Sequence, residues 1–159
     1  MDGITIRDAR GEDYPAIAAL HLESDLFHHE RLPYIYARTT ESHRSESYIR
    51  GLVDDESSVF LVAERAGRVV GFSYGYREEK GRLPFHRRRT YLVLDNIVVR
   101  EEFRNSGIGR SLLEETISRA RELGYSDVML NVYCFNTDAI ALYESVGFEP
   151  IAQDMILKL

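Results

Sequence analysis

The chain has 159 residues, 44% of them apolar and 29% charged, with a formal net charge of −6. Length and mixture fit one globular domain, residues 1–159, around one core, and the acidic balance speaks against general nucleic-acid binding, which wants a basic footprint. No apolar run is long enough to span a bilayer and no basic-then-apolar leader is visible, so a cytoplasmic protein without membrane partners is expected; the single Cys134 excludes an internal disulfide and a thiolate metal cluster.

In chain order, Ile4-Thr5-Ile6-Arg7 alternates as a first strand. Asp13 stands where a helix N-cap belongs, with Pro15 tolerated in the first turn, and the helix runs through Ile17 and Leu20 toward Leu26. Residues 28–44 are polar and Tyr-containing, with Pro33, and read as a loop before a helix that carries Tyr48, Ile49, Leu52 and Val53 on one face. Val59 to Glu64 forms a strand that Ala66-Gly67 turns into Val69 to Arg77, a hairpin. The second hairpin strand has a large face (Val70, Phe72, Tyr74, Tyr76) and a small face (Gly71, Ser73, Gly75), which suggests a helix or ligand close to the small side.

Residues 78–90 are charged, carry Gly81 and Pro84, and read as a loop. Tyr91 to Val99 is nearly all apolar, as for a strand covered on both faces, so its interruption by Asp95-Asn96 is conspicuous. A helix from Ile108 to about Leu123 places Ile108, Leu112, Leu113, Ile117 and Ala120 on one stripe, and Gly124 stops it. A central strand over Val128 to Tyr133, a short helix from Thr137 to Val146 closed by Gly147, and final strands within Phe148 to Leu159 complete an α/β sandwich.

The junction VVREEFRNSGIGRSLLEE, residues 98–115, carries the most chemistry. A strand ends, Arg104-Asn105-Ser106-Gly107-Ile108-Gly109 follows, and an amphipathic helix begins. The first N–H groups of a helix lack intrahelical partners and sit at the positive end of its dipole, and glycine lets a ligand approach them closely. Helix starts favour Asp or Glu in the first turn; here Gly109 and Arg110 stand there, and Glu114 and Glu115 come later. The chain does not neutralise this end itself, which points to a bound anion. A dinucleotide loop would need a third Gly where Leu112 stands, and a nucleoside-triphosphate loop would need Gly-Lys-Ser/Thr.

The remaining pattern, R-x-x-G-x-G/A after a strand, resembles the acetyl-coenzyme A pyrophosphate loop of the GCN5-related N-acetyltransferase (GNAT) superfamily. Residues 136–148, NTDAIALYESVGF, resemble that family's N-x-x-A-x-x-L-Y-x-x-x-G-F segment at Asn136, Ala139, Leu142, Tyr143, Gly147 and Phe148. The first ninety residues match only as a pattern of elements. Two positions depart: Asn105 replaces the usual Gly after the loop Arg, and Glu101 replaces a frequent Pro. Asn tolerates left-handed backbone geometry better than most residues.

The resemblance implies a mostly antiparallel mixed sheet of six to seven strands with about four helices, and acetyl transfer from acetyl-CoA to a primary amine on a small molecule, amino acid, peptide N-terminus or lysine. By position, Asn105, Ser106, Gly107, Ile108, Gly109 and Arg110 would cradle the pyrophosphate with charge from Arg104 and Arg110. Ile97, Val98 and Val99 would run beside the pantetheine arm, with the Ile97 N–H on the acetyl carbonyl. Asn136 and Ala139 would complete the cofactor site, and Asn136 equally suits a helix cap. Tyr143 matches the family tyrosine near the cofactor sulfur; Asp95 matches an acid that serves some members as base. Asn131 and Tyr133 would line the acceptor cleft. A non-catalytic acyl-CoA sensor is the alternative, and family members that pair through late strands or helices leave a homodimer open.

Other features read more plainly. His28, His29 and Glu30 have no further His or Cys at ligand spacing, so no metal is expected. Arg87-Arg88-Arg89 fits a solvated loop, an acidic substrate or the cofactor's 3′-phosphate. Cys134 reads as a small buried hydrophobe rather than an acyl-accepting thiol.

Overall fold

The computed structural model describes residues 3–81 and 83–159. Its sheet has five strands in the order β1-β2-β3-β4-β5: β1 (Ile4–Asp8), β2 (Val59–Arg65), β3 (Arg68–Lys80), β4 (Arg89–Val99) and β5 (Val128–Leu130). The first four pair antiparallel and β5 lies parallel to β4. Helices α1 (Tyr14–Arg31) and α2 (Glu46–Val53) cover one face; α3 (Ile108–Glu122) and α4 (Thr137–Val146) belong to the other. The mixed sandwich is the expected class, with fewer strands than expected.

Each face has its own core. Ile17, Leu20 and Ile49 meet Phe60, Val62, Phe72, Tyr74 and Val98 on the first. Leu61, Ala63, Val70 and Leu92 meet Ile108, Leu112 and Ala120 on the second. The hairpin between β2 and β3 turns through two left-handed residues, Ala66 (φ 48°) and Gly67 (φ 74°), matching the twist of its strands. One expected face assignment is corrected. Ala63 pairs with Gly71 and Glu64 with Val69, leaving Val70 as a bulge. A bulged residue escapes strict alternation, so Val70 packs toward α3 while Phe72 and Tyr74 face α1.

The small side of β3 admits α3, not a ligand. A Cβ on Gly71 would lie 2.8 Å from the Val98 carbonyl oxygen and 3.4 Å from Leu112. Beside it the buried Thr116 hydroxyl donates to the Leu112 carbonyl at 2.8 Å, leaving its oxygen to accept from Ser73 at 2.8 Å.

Several element bounds differ from the sequence reading by more than one residue. Helix α1 continues past Leu26 to Arg31, through His28 and His29, because nothing breaks it before Leu32, which the following Pro33 disfavours in helical geometry. Asp13 precedes α1 as expected but does not cap it: it accepts both Arg7 guanidinium N–H groups, at 2.8 and 2.9 Å, and the Arg10 N–H. Burial opposes its charge, yet these bonds hold the carboxyl below its ordinary range. Strands β3 and β4 extend into the expected loop, pairing Lys80 with Arg89. Strand β5 stops at Leu130, and residues 149–159 form no strand. That segment leaves the body exposed, which accounts for the smaller strand count.

Candidate active site

The site begins with one extra residue. Tyr74 pairs with Asn96 and Gly75 with Leu94, so Asp95 has no partner on β3 and forms a bulge in β4. On the other edge β4 meets β5 only at Leu92, Val93 and Leu94. From the bulge onward β5 no longer follows. The sheet forks there, and one edge of Ile97, Val98 and Val99 carries no strand among the described residues.

The glycine turn lies at the far end of the fork. Asn105 (φ 58°) and Gly107 (φ 85°) both take left-handed backbone, and Gly107 occupies the N-cap of α3 without a side-chain cap. No acidic residue stands in the first turn of α3. Among the described residues, the N–H groups from Asn105 to Arg110 make no hydrogen bond to a protein acceptor. A Cβ on Gly109 would sit 3.5 Å from Leu142 and 3.8 Å from Val99. The two sequence motifs and the end of β4 therefore meet at one point.

The two arginines have other partners. Arg104 Nε–H donates to the Val99 carbonyl at 3.0 Å, its Nη2 reaches Glu23 at 2.9 Å, and the guanidinium lies 5.8 Å from the Phe27 ring centre. Glu23 also accepts the Glu101 N–H at 2.7 Å. Arg104 thus ties the strand end and turn to α1. Arg110 donates to Ser145 at 2.7 Å and tethers α3 to α4. Both still place positive charge around a turn of outward N–H groups.

Tyr143 stands at the crotch of the fork, packed with Leu94 and Leu113 and only 8% exposed. Burial pushes its phenol up to about 12. Asn136 caps α4, its side-chain oxygen accepting the Ala139 N–H at 3.4 Å. Asp95 and Asn96 lie toward the opposite face, where Asn96 donates to the exposed Asp95 carboxylate at 2.5 Å. They line a cavity of about 130 Å³ together with His21, Arg44, Tyr48 and Tyr74. Arg44 pairs with Asp25, and no arginine pairs with Asp95 among the described residues. The fork joins the two faces of the sheet, with a phenol on one side and a carboxylate on the other.

An aromatic cluster gathers around Tyr133, the one member that the sequence reading places in the acceptor cleft. Tyr133 stacks on Phe135 with centroids 5.6 Å apart at 9°, and its hydroxyl meets that of Tyr36 at 2.8 Å. His28 packs against Tyr36 and Tyr133. His28 Nδ1–H donates to the Ser24 carbonyl and His29 Nδ1–H to that of Tyr36, each at 2.7 Å. Asn131 and Cys134 are exposed just after β5, so Cys134 is not the buried hydrophobe expected. Arg89 pairs with Asp127 at 3.1 Å and lies over Tyr91, away from the fork.

Comparison with known proteins agrees with this geometry. The profile of the Acetyltransferase (GNAT) family matches residues 19–148, from α1 through the second motif. The chain belongs to this family. Among GNAT relatives, it is 33% identical over 104 residues to N-acetyltransferase 8 of Homo sapiens, covering 65% of this chain and 44% of that protein. It is 42% identical over 64 residues to the [ribosomal protein bS18]-alanine N-acetyltransferase of Escherichia coli K12, covering 37% and 43%. The chain thus spans less than half the length of these curated relatives. A crystallised variant of the BH1408 protein from Bacillus halodurans superposes with a TM-score of 0.91 at 28% identity, covering 98% of this chain and 99% of that one. GNAT membership accounts for both motifs and for the forked sheet that joins them.

Proposed function

We propose that this protein moves an acetyl group from acetyl-CoA to a primary amine by direct attack in a ternary complex. The observation that carries this reading is the fork in the sheet, ended by a turn of N–H groups without protein acceptors. Such a turn suits a pyrophosphate, and an unpaired strand edge suits an extended amide-bearing arm. When bound, acetyl-CoA supplies the activated acyl group.

The chain's own residues then have separate tasks. Backbone groups of Ile97 to Val99 align the arm, and a backbone N–H there polarises the acetyl carbonyl. An alkylammonium with a pKa of about 10 must lose a proton before it attacks. Asp95, exposed at the bulge, draws the ammonium in and accepts that proton directly or through water. Tyr143, kept protonated by burial, gives its hydroxyl proton to the departing thiolate. The rings of Tyr133, Phe135 and His28 offer an apolar wall to whatever bears the amine, on a small molecule, amino acid, peptide N-terminus or lysine side chain.

An amine panel assayed for release of free thiol tests this reading. Acceptor-dependent thiol release is the expected result. Tight acetyl-CoA binding with no release for any amine would leave a sensor of acyl-CoA in place of an enzyme.

A further inference from the structure

The small cavity beside Asp95 has two unlike walls. Arg44 and His21 offer hydrogen-bond donors, and Asp95 offers a carboxylate that only accepts. Its volume of about 130 Å³ lies well below the about 300–1,000 Å³ of sites for larger ligands. Both walls therefore face the same few atoms of any molecule that enters. Leu52 and Phe60 also line the space, so a short carbon skeleton is accommodated as well as a polar group.

The donor wall is held in place and incompletely used. Arg44 stands just before α2, where its carbonyl accepts the Tyr14 hydroxyl at 3.4 Å, and one guanidinium nitrogen, Nη1, is joined to Asp25 of α1. A guanidinium has five N–H donors, and among the described residues no second acid pairs with this one. His21 is 5% exposed, and its Nδ1 is buried without a hydrogen-bond partner. Buried polar atoms are nearly always bonded, so an unbonded nitrogen at the wall of a polar cavity marks a place kept for a ligand. Two donors set against one space call for a group that only accepts, and the group that accepts best from a guanidinium is a carboxylate. Across from them, Asp95 calls for a cation.

Resting on the acetyl-transfer reading above, we propose that the acceptor is a free α-amino acid, with its ammonium at Asp95 and its carboxylate on Arg44 and His21. A protein N-terminus or a lysine side chain brings the ammonium but not the adjacent carboxylate, and leaves the donor wall facing a neutral group at best. Transfer converts ammonium and thioester into amide, thiol and one released proton. It removes the positive charge that Asp95 attracts and keeps the negative one, so the product is left as an anion beside an anion and departs.

A panel of free L-amino acids, each matched with its own carboxamide, tests the proposal by two readouts. In the thiol-release assay, the amino acid of the preferred pair should exceed its carboxamide by about 10- to 100-fold in kcat/KM, the worth of a hydrogen bond to a charged group. Without acetyl-CoA, the signal of the isotope-labelled His21 imidazole should shift on titration with that amino acid and stay still with the carboxamide, and Arg44→Gln should remove the shift. Equal kcat/KM within every pair, or a preference for the carboxamides, overturns the proposal and leaves acetyl transfer standing. Thiol release from no amine, with His21 still moved by the carboxylates alone, overturns acetyl transfer and supports the assigned ligand class. A His21 signal that no amino acid moves overturns the proposal whatever the turnover. The unmodified protein supplies each of these results, so an unfolded variant protects nothing.

Discussion

The two halves of β4 differ only in what lies along one edge. From Leu92 to Leu94 the strand has β3 on one side and β5 on the other, and Tyr91, Leu92 and Leu94 are buried. From Asn96 to Val99 it keeps β3 and loses β5. The first half spends its backbone on the fold; the second half withholds one edge and ends at a turn that withholds its N–H groups too. A single strand is thus paired on both sides up to Leu94 and on one side only beyond Asp95.

The sharpest way to break the comparison is at the turn. Gly107→Val puts a β-branched residue at a φ of 85°, a strain of about 1–3 kcal/mol, and crowds the N–H groups. Acetyl-CoA should raise the melting temperature of the parent and leave this variant unmoved; an equal shift in both would remove the turn from the binding site. Next is Tyr143→Phe, which keeps the packing at the crotch and deletes the proton. Turnover should fall about 100-fold with the acetyl-CoA shift intact, and unchanged turnover would dismiss the phenol. Asp95→Asn should lower activity about 100-fold, most at neutral pH; a constant ratio to the parent across pH would argue against a base.

The paired half of the sheet yields changes in stability instead. Ser73→Ala leaves the bond from Thr116 to Leu112 intact but strips a buried hydroxyl partner, an expected loss of about 1 kcal/mol, with turnover retained. A kinetic defect in that variant would show that the two regions are not separable. The smallest effect expected is a pH slope. His21 is 5% exposed and burial first, the Arg44 charge second, pull it down to about 4. Between pH 6.5 and 4 the unfolded chain binds a proton there that the native state does not, so stability falls as pH drops through that window. His21→Leu should flatten the melting temperature across it; an unchanged slope would place the acid sensitivity elsewhere.

Much of this was legible in order along the chain. The hairpin, α3 with its stop at Gly124, and α4 with its end at Gly147 followed from local periodicity and turn chemistry, which need no distant partner. Asp95-Asn96 was visible as a flaw in an apolar strand, but its cause, an extra residue between two pairs, belongs to the register with β3. The link from Arg104 to Glu23 and the contact of Tyr36 with Tyr133 join residues far apart in sequence, and no local pattern encodes such pairs. The final segment misled for the opposite reason: its apolar residues read as strands, yet residues 149–159 join no sheet.

The bulge at Asp95 has one further consequence. Pairs on both sides of it are already in continuous register, and Leu94 and Asn96 already point to opposite faces. Losing that single codon would leave every neighbouring side chain on its own side and simply straighten the strand. A chain lacking Asp95 would therefore keep the packing of both faces while losing the exposed carboxylate that this strand presents there.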